Sequence, residues 1–351
     1  MRKLIFLALV ISFFATASTC RKRNLEYVTV ALPEKFTAFD TLTMTGSDAS
    51  AERVKSLIFN SLVKKDANFD YVGELAKEIK TSPDGKVITF VLQDGVKFHN
   101  GQEFTSADVK YTFDELFKSN GFKSGAFFDT VPLDKNDPPK APAATKPEAP
   151  AAATPSAAKP VEEPKTKRVP HITSIETPDA KTVVFTVTRP ALKNQLLANL
   201  VAVPIIPTDS VARQKDQPLG SGPFKFISFD ASQNIVELAA NQEYWEGAPK
   251  VQKVRVKTVT DANSLQAELQ TGGVDIAPNP NNISPDTLKS LGNSPTLKVE
   301  QTDGSNIQYL VFNTQSAPLN NVKVRQAIGY AIDRQKIVTD LLFDQAKVAT
   351  S

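Results

Sequence analysis

The stretch 75–116, LAKEIKTSPDGKVITFVLQDGVKFHNGQEFTSADVKYTFDEL, leaves few local structures open. In Pro83-Asp84-Gly85-Lys86 the proline presets φ and the glycine supplies a positive φ, which is turn chemistry. Residues 87–92, VITFVL, are β-prone and apolar on both faces, so they read as a covered strand. Asp94-Gly95 makes a second turn, and Val96 and Phe98 point one way from a short return strand. Thr105 places a hydroxyl three residues before Asp108, the pattern of a helix start. Val109, Phe113, Leu116 and Phe117 then share one helical face. The local order is hairpin, loop, amphipathic helix.

The same physics extends along the chain. Residues 27–32 alternate as a strand, and 39–46 leave it as a loop. A helix is expected over 48–63, with Val54, Leu57, Ile58 and Leu62 as its stripe and Ser47 or Asp48 as its cap. Residues 177–187, TPDAKTVVFTV, repeat the layout of 82–92 and suggest paired hairpins in one sheet. A short helix over 192–200 and an extended segment at 203–207 follow. Residues 254–259 alternate as a strand, and a helix over 264–270 stops at Gly272-Gly273. Residues 309–314 read as another covered strand. Two helices over 321–331 and 334–342 close the chain, the second capped by Asp333.

One segment breaks the pattern. Ten of the chain's 24 prolines fall between Pro132 and Pro170, with many alanines and no aromatic residue. Such a composition buries too little apolar surface to offset the entropy of ordering, so a solvated spacer is expected over 132–169. Long surface loops cost little closure entropy, which makes a tolerated insertion the simplest explanation; docking of a partner is the alternative.

The formal charge of +3 gives no footing for nucleic-acid binding, and 41% hydrophobic with 23% charged residues is ordinary for a globular protein. Two histidines and one cysteine exclude a His/Cys-rich metal site built from this chain alone. Arg2 and Lys3 precede the apolar run 4–17, which has the make-up of a secretory signal within residues 1–19. Ala15-Thr16-Ala17 fits a small-x-small cleavage site. Ala17-Ser18-Thr19-Cys20 fits a lipoprotein box, in which Cys20 is acylated and 20–26 become a tether. The second reading accounts for a lone thiol in an oxidising compartment.

No catalytic constellation is present, so an enzyme is not expected: there is no nucleophile elbow, and Asp108, Asp275 and Asp333 have capping or structural explanations. His99 reads as a surface hydrogen-bonding residue in a turn-rich loop. Gly220-Ser221-Gly222 allows a close backbone approach but lacks the following helix and the Gly-Lys-Ser/Thr of a phosphate cradle. A structural turn and a backbone contact to ligand both remain open there.

The residues Leu75, Ala76, Asp84, Gly85, Phe90, Leu92, Gly95-Val96-Lys97-Phe98-His99, Gly101, Phe104-Thr105, Asp108-Val109 and Thr112 resemble, at fixed spacings, the extracytoplasmic solute-binding proteins of family 5. This peptide and nickel group serves ABC importers. The elements PLGSGPF at 218–224, LAANQEYWEGAP at 238–249 and NVKVRQAIGYAIDRQKIV at 321–338 are similar to further motifs of that family. Ser106 stands where the family carries alanine. The resemblance spans 27–342 and the N-terminal part of a family member only.

It implies an α/β, two-lobed periplasmic binding protein of type II, with mixed sheets flanked by helices and an incomplete third domain. The expected division is a core lobe from 27–46 and 170–258, a second domain over 47–131 and the start of a third over 259–351. The implied function is capture of a peptide-like solute in a cleft, through Thr43, Met44, Thr45, Gly46, Phe127 and Ser221, and delivery to ABC permease subunits. No cofactor and no metal are implied. The expected setting is extracytoplasmic, as a monomer, with a lipid anchor through Cys20 on the lipoprotein reading. A truncated non-binding fragment and a scaffold lipoprotein acting through protein contacts are the alternatives.

Overall fold

The computed structural model describes residues 26–36, 38–40, 42–46, 48–132, 166–278, 282–302 and 307–349. The expected signal segment and Cys20 lie outside them. The chain divides into two compact units: Met1–Phe36 with Ile227–Ala240 and Lys250–Ser351, and Thr37–Phe226 with Asn241–Pro249.

The first strand, β1 (Val28–Leu32), belongs to the first unit. The chain then enters the second unit through helix α1 (Ala49–Ile58), capped by Asp48, whose Oδ1 accepts from Ala51 N at 2.8 Å. The helix is shorter than expected. Phe59 turns extended at φ −120°, so Leu62 is buried from outside the helix. A two-stranded ribbon follows, β2 (Val63–Lys65) with β3 (Tyr71–Gly73).

The turn at Gly85, φ +71°, joins β4 (Ala76–Thr81) to β5 (Val87–Leu92) as the proline-glycine chemistry requires. The return strand is reduced to a single bridge between Lys97 and Glu103, although Val96 and Phe98 are buried as expected. Helix α2 (Ser106–Ser119) starts with the full capping box: Thr105 and Asp108 satisfy each other's backbone N–H groups. Its apolar stripe packs Phe113 edge-on against Phe185 at 5.1 Å.

A 3-10 turn (Phe122–Phe127) leads into β6 (Phe128–Pro132), which pairs antiparallel with β7 (Thr166–Pro170). Both ends of the expected spacer therefore sit in a ladder, Pro132 opposite Thr166; residues 133–165 lie outside the described ones. Strands β8 (Ile172–Asp179) and β9 (Thr182–Val187) form the second hairpin. The sheet order is β4-β5-β9-β8, so the two echoing hairpins join through their inner strands. Strands β5 and β9, from segments expected in different domains (47–131 and 170–258), share one sheet and one unit through their ladder, whereas residues 227–240 and 250–258 of the second segment belong to the first unit. Helix α3 (Leu192–Ala202) buries Leu192, Leu196, Leu197 and Leu200.

Strand β10 (Phe224–Asp230) runs along the chain from the second unit into the first, followed by β11 (Ile235–Ala240) and β12 (Lys253–Thr258). The order β1-β12-β11-β10 puts β1 parallel to β12, Val28 opposite Val254, in an otherwise antiparallel run. Helix α4 (Ala262–Thr271) is capped by Asp261 and stopped by Gly272 at φ +72°. With α5 (Pro285–Leu291) it covers a core of Ala31, Val259, Leu265, Val274, Ile283 and Leu291.

The expected strand over 309–314 is absent. That run has no regular structure, Tyr309, Leu310 and Val311 are exposed, and no described strand pairs with it. A β-prone run stays a strand only with a ladder partner. Helix α6 (Val322–Ala331) is capped by Asn321, and α7 (Arg334–Lys336), continued by a π turn (Ile337–Leu341), is capped by Asp333. Tyr330 on α6 is 92% exposed.

Candidate functional site

The loop ahead of α1 carries four of the candidate residues. Asp40 shapes it: Oδ1 accepts from Leu42 N at 3.1 Å and Thr43 N at 3.0 Å, and Oδ2 accepts from the Thr43 hydroxyl. The carbonyl of Met44 accepts from Phe122 N at 2.8 Å, which ties the loop to the 3-10 turn. Gly121 permits that approach, since a Cβ there would lie 2.8 Å from the Thr43 oxygen. Thr43 and Met44 are half-buried, whereas Thr45 and Gly46 are exposed.

A charge cluster joins α1 to the same turn. Glu52 meets Lys55 at 2.7 Å and Lys123 at 2.6 Å, and the Lys123 side chain is 9% exposed. Burial, helped by the Lys55 charge and opposed by Glu52, lowers the Lys123 ammonium to about 8.

Phe127 ends the 3-10 turn but does not face solvent. Its ring is 1% exposed, edge-on to Phe113 at 5.7 Å and Phe117 at 5.8 Å, so it is core and presents no face to a solute. Phe122, at the other end of the turn, is exposed instead.

Ser221 lies in a turn pressed onto the end of α1. A Cβ on Gly220 would come within 2.2 Å of the Ile58 carbonyl oxygen, and one on Gly222 within 2.6 Å of the Ile58 carbonyl carbon. The Ser221 hydroxyl donates to Asn60 Oδ1 at 3.1 Å. Asn60 Nδ2 donates to Glu74 Oε1 at 2.8 Å and to the Tyr244 hydroxyl at 3.2 Å. Glu74 Oε2 accepts from Ser61 N at 2.7 Å. Burial raises the Glu74 carboxyl, and it raises the Tyr244 hydroxyl as well. Trp245 is half-buried with its indole nitrogen 3.5 Å from Asn60 Oδ1. Asn60 and Glu74 carry this network, yet nothing in their local sequence marks them.

His99 is half-buried, not a fully exposed surface group. Its backbone N–H donates to the Gly220 oxygen at 2.9 Å, its ring Nε2 lies 2.9 Å from the Gly222 oxygen, and burial lowers the imidazole to about 4.

The candidates therefore fall into two groups. The loop 42–46 is at the start of α1 and Ser221 at its end; a helix of 10 residues separates them by about 15 Å. What the first group offers a ligand is exposed backbone and the Thr45 hydroxyl. What the second offers is a backbone turn whose serine hydroxyl is already engaged.

Among the described residues no three His, Cys, Asp or Glu side chains gather as a metal site, and no helix is long and apolar enough to cross a membrane.

Residues 70–351 match the family model of bacterial extracellular solute-binding proteins, family 5 (middle). Heme-binding protein A of Haemophilus influenzae is 28% identical over 340 residues, covering 92% of this chain and 55% of that protein. The oligopeptide-binding protein AppA of Bacillus subtilis is 28% identical over 314 residues, covering 89% and 51%. The chain thus spans about half the length of these curated relatives. Among solved structures, NikZ of Campylobacter jejuni in complex with Ni(L-His) superposes with a TM-score of 0.66 at 22% identity, covering 93% of this chain and 57% of that one. That likeness establishes the type II periplasmic-binding-protein fold expected from the sequence. The match is to transport binding proteins rather than to enzymes. By the extent of the family match, 70–351, this chain belongs to the bacterial extracellular solute-binding proteins of family 5.

Proposed function

We propose that this chain is a substrate-binding component of an ABC importer that captures a peptide-like solute outside the cytoplasm and delivers it to the permease. The family match over 70–351 carries the reading, and the oligopeptide-binding relative points to the solute class. The exposed loop residues Thr45 and Gly46, with Thr43 and Met44 behind them, supply the peptide-facing backbone, which suits recognition of an extended chain through main-chain hydrogen bonds. Ser221 enters the reading as the residue that shapes its turn: the Gly220 and Gly222 carbonyls are taken by His99 and the Gly222 N–H by Ile58. Cys20 anchors the protein to a membrane through a lipid.

The test is a thermal titration of the purified chain with a random tripeptide pool, with hemin and with Ni–histidine as separate arms. A ligand that binds only the folded state raises the melting temperature by mass action, about 2.7 kcal/mol at a hundredfold excess over Kd. Stabilisation by the peptide pool alone is the expected result; stabilisation by hemin or Ni–histidine alone, or by nothing, rejects it. Loss of palmitate labelling in a Cys20→Ser chain checks the anchor.

A further inference from the structure

The Lys123 ammonium is buried where an apolar side chain would serve the fold as well. Its side chain is 9% exposed and its ion pair is with Glu52 at 2.6 Å. The contact is ionic and out of line for a hydrogen bond, so Nζ is buried without an aligned acceptor for its three donors. Glu52 is also shared: Lys55 reaches the same carboxylate at 2.7 Å while donating to the Ala202 oxygen at 3.0 Å. A buried, half-satisfied ion pair stabilises a fold little, and an apolar replacement is often neutral or better.

What the charge does hold is position. Glu52 stands on α1 and Asp40 ahead of the loop 42–46, and both carboxylates act on Lys123 to keep it protonated. Asp40 in turn accepts from Leu42 N, from Thr43 N and from the Thr43 hydroxyl, which sets the path of the loop. The residue beside Lys123 supplies the other fixing bond, Phe122 N to the Met44 oxygen at 2.8 Å. One ammonium thus links the helix, the loop and the turn on which the loop hangs.

We propose that Lys123 is a positioning residue for solute binding: its ammonium holds the loop 42–46 in the form that meets a peptide. The inference deepens the peptide-binding reading above and rests on it.

Titration separates this role from a purely structural one. Burial first, and the Lys55 charge after it, lower the ammonium to about 8 from its ordinary 10.5, while Glu52 and Asp40 oppose the loss of its proton. The folded state therefore prefers the neutral amine, and this group adds stability as pH rises from about 8 toward 10.5. Affinity for a peptide moves the other way, because a neutral amine no longer holds Asp40 and Glu52. A lysine that served the fold alone would leave affinity flat.

The apparent Kd for the tripeptide pool is measured by equilibrium dialysis at pH 7 and pH 9.5, for the native chain and for Lys123→Met, with melting curves at both. In that variant Glu52 keeps Lys55, so no charge is left alone. At pH 7 Lys123→Met binds about tenfold more weakly, as when the loop is competent in about one molecule in ten, and melts no lower than the native chain. Between the two pH values the native chain weakens by about tenfold more than the variant does. The amino group of the peptide titrates in the same range, and the variant carries that part alone. Equal affinities at pH 7, or equal changes with pH, remove the positioning role and leave the binding reading in place. A variant that melts well below the native chain makes Lys123 a structural residue and overturns the proposal. A native chain that binds the pool at neither pH removes the peptide-binding reading and the proposal with it.

Discussion

The ring Nε2 of His99 donates to the carbonyl oxygen of Gly222 across 2.9 Å, which ties the loop after β5 to the turn that carries Ser221. A carbonyl only accepts, so Nε2 bears the proton and Nδ1 is bare; Nδ1 is buried with no hydrogen-bond partner. Burial first, and the Lys225 charge after it, hold the imidazole at about 4, below its ordinary 6.5, against the pull of the Gly222 oxygen. The folded state thus prefers the neutral ring. Its stabilisation is complete above about pH 6.5 and is lost as pH falls toward 4, a change on the order of 3 kcal/mol. Melting curves from pH 8 to pH 4 should fall more steeply for the native chain than for His99→Gln, in which nothing titrates. Parallel curves reject the assignment.

The two glycines around Ser221 have no room for a methyl group. Gly220→Ala pushes a Cβ against the Ile58 oxygen, which must cost about 2–3 kcal/mol in denaturant unfolding. Ser221→Ala removes one hydrogen bond to Asn60 and costs about 1 kcal/mol. If Ser221 only shapes its turn, Ser221→Ala keeps the affinity for the tripeptide pool. A large loss of affinity moves the serine hydroxyl into the binding surface.

Asp108 is buried at the start of α2, and its carboxylate accepts from Thr105, Thr208 and, at 3.4 Å, the Gln102 amide. Oδ2 takes Thr105 N at 2.9 Å and its hydroxyl at 3.0 Å; Oδ1 takes Thr208 N at 2.8 Å and its hydroxyl at 2.9 Å. Asp108→Ala leaves buried donors unpaired at both ends and should destabilise by about 3 kcal/mol. Asp108→Asn turns an amide N–H toward one of those donors and should cost nearly as much. A urea midpoint shifted by less than half that amount contradicts this.

The ribbon β6–β7 closes by itself. Five residue pairs run from Phe128 opposite Pro170 to Pro132 opposite Thr166, with Asp129 held by His171 at 3.0 Å and Arg189 at 2.6 Å. Replacing 133–165 by Asn-Gly, a type I′ turn, should leave the melting temperature unchanged or a few degrees higher, since a shorter loop costs less to close. A fall beyond about 4 °C means that the segment packs on the fold.

Much of this fold was legible where one local rule decides the outcome. The Thr105–Asp108 box, the Asp48 and Asp333 caps and the Gly85 and Gly272 turns all follow from residue type at fixed spacing. The echo of 82–92 in 177–187 foretold the joined hairpins, because two β-prone strands of one pattern pair edge to edge. Position relative to the rest of the chain was not legible. The run 309–314 has the composition of a covered strand but no ladder beside it among the described residues. Phe127 and His99 looked like surface groups because burial depends on neighbours far along the chain, Phe113 and Gly222. Asn60 and Glu74 went unnoticed since polar residues beside a helix end and a strand are usually solvated; here they meet each other, Ser221 and Tyr244.

The β5–β9 ladder, Val87 opposite Thr186, also sets a timetable. The first hairpin is complete once residue 92 is synthesised, yet its partner strand arrives 95 residues later, about 5–20 s at ordinary elongation rates. Through that interval β5 shows a bare edge with Ile88 and Phe90 uncovered, the kind of edge that pairs with the wrong chain. A nascent molecule of this protein therefore needs a holdase, or an export route that keeps it unfolded, until its second hairpin is made.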